Sequence, residues 1–249
     1  MTYHGEGREI KMTAMTLAKN IVQMLVASGF ELAVTYLPDI WEKIEGFWNN
    51  NTLAVIGPTA CGKDSLIARL QGKPVPDIHI NTGIPEAVES YWVKYDDGNG
   101  KRISFQAKKT LNVGGEEPDR DEYWGDVCKK ANVIFYMLDA EKLVSTQAQT
   151  ISRLNNDMRW LVSEIGGSKF PKVVIVLNKF DILLEGEESP DVQEAIKNIA
   201  LPLLKIVSES AKKSLGTRKD ALKGVKPLST TDDYLFAQLF PPVLRAAVS

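Results

Sequence analysis

From residue 51 onward, short apolar runs alternate with longer stretches of helical period. Thr52 to Ile56 (TLAVI), Val133 to Leu138 (VIFYML) and Val173 to Leu177 (VVIVL) are continuous apolar runs that end at glycine or polar residues. Strands buried on both faces look like this, because no position along them needs to meet water. Helical patterns fall between them, over Lys63 to Leu70, Asp119 to Lys130, Lys142 to Ile165 and Pro190 to Leu215. Pro202 is expected to kink or split the last of these. One stretch departs from the alternation: SYWVKYDD and KRISFQAKK flank the turn GNG, the pattern of an antiparallel hairpin. Together these signals predict an α/β fold, a mostly parallel sheet with an antiparallel hairpin strand and helices on both faces.

Residues 1 to 50 follow a different rule and are expected to form an N-terminal helical extension to the main domain, 51 to 249. Phe30, Val34, Leu37, Trp41, Ile44 and Trp48 recur at steps of three and four, an apolar stripe of helical period interrupted at Pro38. Ile21 to Leu37 is apolar, but it is short for a membrane span and carries Gln23 and Glu31. Three readings of 8 to 49 stay open: packing on the main domain, peripheral contact with a membrane or partner, and a span.

Composition narrows the function classes. The chain has 249 residues, 44% hydrophobic and 25% charged, with a formal net charge of -2. That is enough apolar material for a sizeable core and no basic excess to hold a nucleic-acid backbone. Cys61 and Cys128 form no C-x-x-C pair, so neither a disulfide framework nor a zinc site is indicated. His4 and His79, the two histidines, have no partner pattern for a metal or a triad. The start, MTYHGEGREIKM, lacks a signal peptide's basic and apolar regions, and a cytoplasmic protein, with membrane association left open, is expected.

Chemistry enters with GPTACGKDS, Gly57 to Ser65, between the apolar run TLAVI and the helical pattern SLIARL. A glycine loop in that context curls backbone N–H groups round phosphate oxygens, and the helix N-terminus adds its positive end. Gly57, Pro58, Thr59, Ala60, Cys61, Gly62, Lys63, Asp64 and Ser65 are therefore candidate phosphate-site residues, with Lys63 bridging the terminal phosphates. The second signal is NKFD, directly after VVIVL. Its Asp181 can accept from the N1–H and exocyclic amine of guanine, a pair of donors that adenine does not present there. Asn178, Lys179 and Asp181 thus point to guanine, and a nucleotide kinase, which shares the glycine loop, gives no reason for NKFD.

With both motifs in this order, residues 51 to 245 resemble the Ras superfamily of small GTPases, most closely its Arf-like and Sar-like branch. The resemblance implies GTP and GDP as ligands, Mg2+ as the metal, and a protein effector or regulator at the switch regions. NVGGE, Asn112 to Glu116, stands where that branch has D-V-G-G-Q, which makes Gly115 a phosphate contact and Asp119 to Lys130 the second switch helix. Thr82 in HINTGIP is the candidate metal threonine, and Ser229 and Thr230 in VKPLSTTDD are better placed for the last guanine loop than Ser210 to Lys212, which falls within a helical pattern.

Three departures from the family pattern coincide. The family has Ser or Thr, Asp and Gln where this chain has Asp64, Asn112 and Glu116. The metal candidates are thus Asp64, Thr82 and Asn112, and two explanations are open: loss of metal binding, or a carboxylate moved from position 112 to position 64 with the Asn112 amide donating to it. Catalysis would rest on Lys63 and Glu116, and an ionised Glu116 accepts only, so slow or partner-dependent hydrolysis is expected. A pseudo-GTPase, nucleotide-locked or empty and working through its N-terminal helices, is the competing reading. Arg120 is expected on the surface of the switch helix, Trp124 is open between core and contact, and Tyr91, Trp92 and Tyr95 between sheet packing and an effector face.

Overall fold

The computed structural model describes residues 52–71, 73–76, 86–88, 91–96, 102–107, 109–166, 169–184 and 192–249. The N-terminal helical extension, Thr82, His79 and the hairpin turn lie outside the described residues, as do the side chains of Tyr91, Trp92 and Tyr95.

Eight strands are present among them: β1 (Thr52–Ile56), β2 (Glu86–Val88), β3 (Tyr91–Asp96), β4 (Arg102–Ala107), β5 (Lys109–Asn112), β6 (Val133–Asp139), β7 (Lys172–Asn178) and β8 (Leu222–Pro227). Six of them form one sheet in the order β2-β5-β1-β6-β7-β8. β5, β1, β6, β7 and β8 run parallel, and β2 is antiparallel at the edge. This is the expected α/β architecture, a mostly parallel sheet with an antiparallel edge strand and helices on both faces. The hairpin also forms, and it is longer than the pattern suggested. β3 pairs β4 from Tyr91↔Ala107 to Asp96↔Arg102, and the same register continues into β2 and β5, from Val88↔Thr110 to Glu86↔Asn112. β3 and β4 form a two-stranded sheet of their own, in the register that pairs β2 with β5.

The helices are α1 (Lys63–Leu70), α2 (Glu117–Asp119), α3 (Gly125–Lys130), α4 (Ala140–Ser145), α5 (Gln147–Ile165), α6 (Phe180–Leu184), α7 (Val192–Leu215) and α8 (Asp233–Val248). They cover both sheet faces, which is why β6 has no exposed position. Its alternation sorts the core: Val133, Phe135 and Met137 join α1 and α8, while Ile134, Tyr136 and Leu138 join the layer containing α3, α5 and α7. Among the described residues no helix is long and apolar enough to cross a membrane.

Two expectations are corrected. The single helix over 142–165 is two, α4 and α5, divided at Thr146, whose hydroxyl and backbone N–H both bond the Lys142 carbonyl. Pro202 does not divide α7, which runs unbroken through it. Pro202 lies on the exposed face, where water can satisfy the carbonyl that its missing N–H leaves unbonded.

Candidate functional site

The parallel strands place their C-terminal ends along one edge, where ligands of such sheets bind. Gly57 follows β1, Asn112 ends β5, Asp139 ends β6, Asn178 ends β7 and Ser229 follows β8. At this edge Gly62, Lys63, Asp64 and Ser65 share a cavity of about 220 Å³ with Ala60, Pro76 and Lys179.

The loop from Gly57 to Gly62 is closed by Lys63, which is buried and donates from Nζ to the Gly57 and Pro58 carbonyls, both at 3.0 Å. The expected phosphate lysine thus rests on the loop's own backbone. Gly62 has φ 91°, and a Cβ there would stand 2.1 Å from Asn178 Nδ2. Its side chain is excluded by backbone conformation and by a neighbour at once. Cys61 and Cys128 are both free and buried, and burial pushes each thiol pKa up, so neither is a nucleophile here.

Asn178 is the knot of the loops after β7 and β8. Its Nδ2 donates to the Cys61 carbonyl and to Thr230 Oγ1, both at 3.0 Å, and its Oδ1 accepts from the Thr230 N–H at 3.1 Å. It therefore ties the glycine loop to the loop after β8. Thr230 and Ser229 are fully enclosed, and Ser229 Oγ accepts from the Asp232 N–H at 3.2 Å. Both residues act as supports of the loop after β8. Asp181 differs from them. Its Oδ2 accepts from the Thr231 hydroxyl at 3.0 Å, while its Oδ1 is buried with no protein partner. A carboxylate oxygen held in this way is costly unless a ligand donates to it. Lys179 adopts φ 63°, and its Nζ lies 2.6 Å from Asp139 Oδ2. Asp139 also caps α4 through the Lys142 N–H at 3.1 Å.

Sequence reasoning missed Thr231, Asp139 and Arg69. From α1, Arg69 donates to the Thr230 carbonyl at 2.8 Å and the Thr231 carbonyl at 3.2 Å, and pairs with Asp233. Asp139 at the end of an apolar run, next to a helical pattern, had the signal of a cap. An arginine within an amphipathic helix has no such signal.

Beside the glycine loop the hydrogen bond expected between Asn112 and Asp64 is present, Nδ2 to Oδ1 at 2.7 Å. Asn112 is only 4% exposed, and its Oδ1 has no protein partner. Oxygen donors of this kind fit magnesium, which takes one or two protein carboxylates and completes its shell with water and phosphate. No group of three or more His, Cys, Asp or Glu suited to a metal occurs among the described residues. Gly115 passes so close to the glycine loop that a Cβ would lie 2.5 Å from the Thr59 nitrogen. Glu116 is engaged structurally: its Oε1 accepts from the Thr59 hydroxyl at 2.7 Å, and it forms a capping box with Asp119 at the start of α2.

Behind this segment lies a network that the motifs did not announce. A π-helical turn, Arg120–Trp124, joins α2 to α3. Trp124 is core, and its indole donates to the Gly114 carbonyl at 2.9 Å. Arg120 is not a surface residue, as expected from sequence, because it reaches Asp157 at 3.1 Å. Asp157, with a side chain 0% exposed, also accepts from Arg153 at 2.8 Å and from the Tyr136 hydroxyl at 2.7 Å. Burial first, and the Asp157 carboxylate second, hold the Tyr136 pKa well above the usual range, so it remains a donor. Arg153 then reaches the Gly115 carbonyl at 3.1 Å. Both glycine carbonyls of NVGGE are thereby fixed to the core.

No protein-family model matches this chain, and no curated protein matches it. Among solved structures, "The Structure of the Mammalian SRP Receptor" aligns with 14% identity and a TM-score of 0.46, covering 72% of this chain and 89% of that one. At that depth the likeness carries no weight on function, which rests on the site itself.

Proposed function

We propose that this protein binds guanine nucleotides as an Arf-like or Ras-like switch, with GTP hydrolysis that is slow or dependent on a partner. The observation that carries the reading is Asp181 Oδ1, a buried, partnerless carboxylate oxygen beside a loop that Asn178 lashes to the glycine loop. Guanine supplies two adjacent donors for such a group and adenine does not. In this reading the backbone N–H groups of 57 and 59–62, Lys63 and Gly115 hold phosphate, Asp181 reads the base, and Asp64 and Asn112, with Thr82 as a further candidate, hold Mg2+. Magnesium, when bound, neutralises phosphate oxygens. A cytoplasmic protein whose residues 8–49 contact a membrane or partner, and whose switch segments meet an effector or regulator, completes the proposal.

A second reading, a nucleotide-locked interaction module, is favoured by one set of contacts. Glu116 is occupied with Thr59 and Asp119, and Trp124 and Arg153 hold the adjoining peptides, so the segment has little freedom to respond to a γ-phosphate. Calorimetry with GTP, GDP and ATP, each with magnesium and with EDTA, tests both readings. Absence of guanine-nucleotide binding in every condition would sink the first. Tight GTP binding with no phosphate release over hours favours the second.

A further inference from the structure

We infer that the metal-binding carboxylate of this site has been transposed: Asp64 on α1 is a direct magnesium ligand, and Asn112 at the end of β5 is the positioning residue that aims it. The inference rests on the nucleotide-binding reading above. It names which protein group meets the metal and which group orients that one.

Asp64 directly follows Lys63 in the first turn of α1 and lines the same cavity as Lys63 and Ser65. The Asn112 amide faces it from the neighbouring strand at 2.7 Å. The orientation of that amide is set by chemistry, because the reverse would place two acceptor oxygens 2.7 Å apart. Asn112 therefore donates to the carboxylate and turns its own Oδ1 away, and that oxygen is the buried atom with no protein partner. Such an atom in a native structure calls for a donor, and the water shell of a magnesium ion supplies donors. One end of this side chain thus orients the carboxylate, and its other end would be available to a donor from the water shell of a bound ion, as residues behind a ligand commonly are.

Charge explains why the two residues belong together. With Asp64 and Asn112 the pair carries one negative charge. Aspartate at both positions would set two carboxylates against each other, and the amide's hydrogen bond would be lost. Neither would leave the cation less neutralised. A carboxylate among phosphate oxygens also repels them when no metal intervenes. Nucleotide affinity should then depend steeply on magnesium. Asp64 in a first helical turn also favours the helix dipole, and if that were its only role, it would affect melting temperature and leave the magnesium dependence unchanged.

The test uses the full chain in four forms: wild type, Asp64→Ser, Asn112→Asp and the double variant. GDP affinity is measured by calorimetry with magnesium and with EDTA, and melting is followed without nucleotide. Wild type should lose on the order of 100-fold in GDP affinity in EDTA. Each single variant should lose about tenfold or more of the magnesium-supported affinity, and the double variant should return to within about threefold of wild type. Additive effects of the two substitutions, or an unchanged magnesium-to-EDTA ratio in all four forms, overturn the transposition. Asp64→Asn is the gentler control should a variant fold poorly; it preserves size, should lower melting only slightly through the lost helix-dipole interaction, and should lose about tenfold or more of the magnesium-supported affinity. Failure of wild type to bind GDP in either condition overturns the nucleotide reading itself, whereas GDP binding indifferent to magnesium overturns only the transposition.

Discussion

Around Asn178 and Asp181 the residues agree with the guanine-binding pattern, and around Asp64, Asn112 and Glu116 they depart from it. The departing end is nevertheless bonded as fully as the agreeing one. Asn178 makes three hydrogen bonds across two loops, and Asn112 with Asp64, Glu116 with Thr59, and Arg153 with Gly115 do comparable work opposite. The difference lies in what each end leaves available. Asp181 keeps one buried carboxylate oxygen without a protein partner, whereas Glu116, beside the glycine loop, uses its carboxylate on protein groups. Departure from a motif at this site therefore means altered chemistry in an intact frame, with binding the stronger expectation and turnover the weaker.

The sharpest way to break this comparison is Asp181→Asn. An amide in place of the carboxylate turns one acceptor into a donor that faces guanine's own donors. Two hydrogen bonds to a charged group, at about 1.5–3 kcal/mol each, set the expected loss of GDP affinity at roughly 10²–10⁴-fold, with ATP binding unaffected. A change of less than about threefold in calorimetry would mean that this end does not read guanine.

Next in size is Asp157→Asn, behind the phosphate end. Asp157 is enclosed by Arg120, Arg153 and Tyr136, so its loss leaves two guanidinium groups without their buried counter-charge. Breaking such a pair costs about 3–5 kcal/mol, read as a lowered urea midpoint. Because Arg153 reaches the Gly115 carbonyl, hydrogen exchange over 113–124 should speed up more than exchange over 228–232. Equal acceleration in both segments would show that the two ends are not separately braced.

Legibility in the sequence followed the range of each interaction. The three buried strands, the hairpin and the glycine loop were readable because periodicity, turn residues and a nine-residue motif are local signals. Even the Asn112–Asp64 bond was legible, since two departures in known motifs implied one compensation. The buried cluster at Asp157 was not. Arg120, Tyr136, Arg153 and Asp157 come from three separate segments, and each looks like an ordinary residue of its own helix or strand until the fold brings them together. Pro202 misled for a related reason: its effect depends on which face of α7 it occupies, and the sequence alone does not locate solvent.

The smallest expected effect separates structure from catalysis at Glu116. Its side chain accepts from Thr59 and completes the capping box with Asp119, so Glu116→Ala should lower stability by about 0.5–2 kcal/mol, the usual range for a lost cap. Glu116→Gln retains an acceptor oxygen for Thr59 and should recover most of that loss. Under the proposed function, phosphate release from GTP should change by less than about threefold in Glu116→Ala, because a carboxylate committed to a cap is not orienting water. A drop of tenfold or more in single-turnover hydrolysis, with GTP affinity preserved, would instead place Glu116 among the catalytic groups. The cap would then have to open during turnover, and the phosphate end would be a working centre in a closed state.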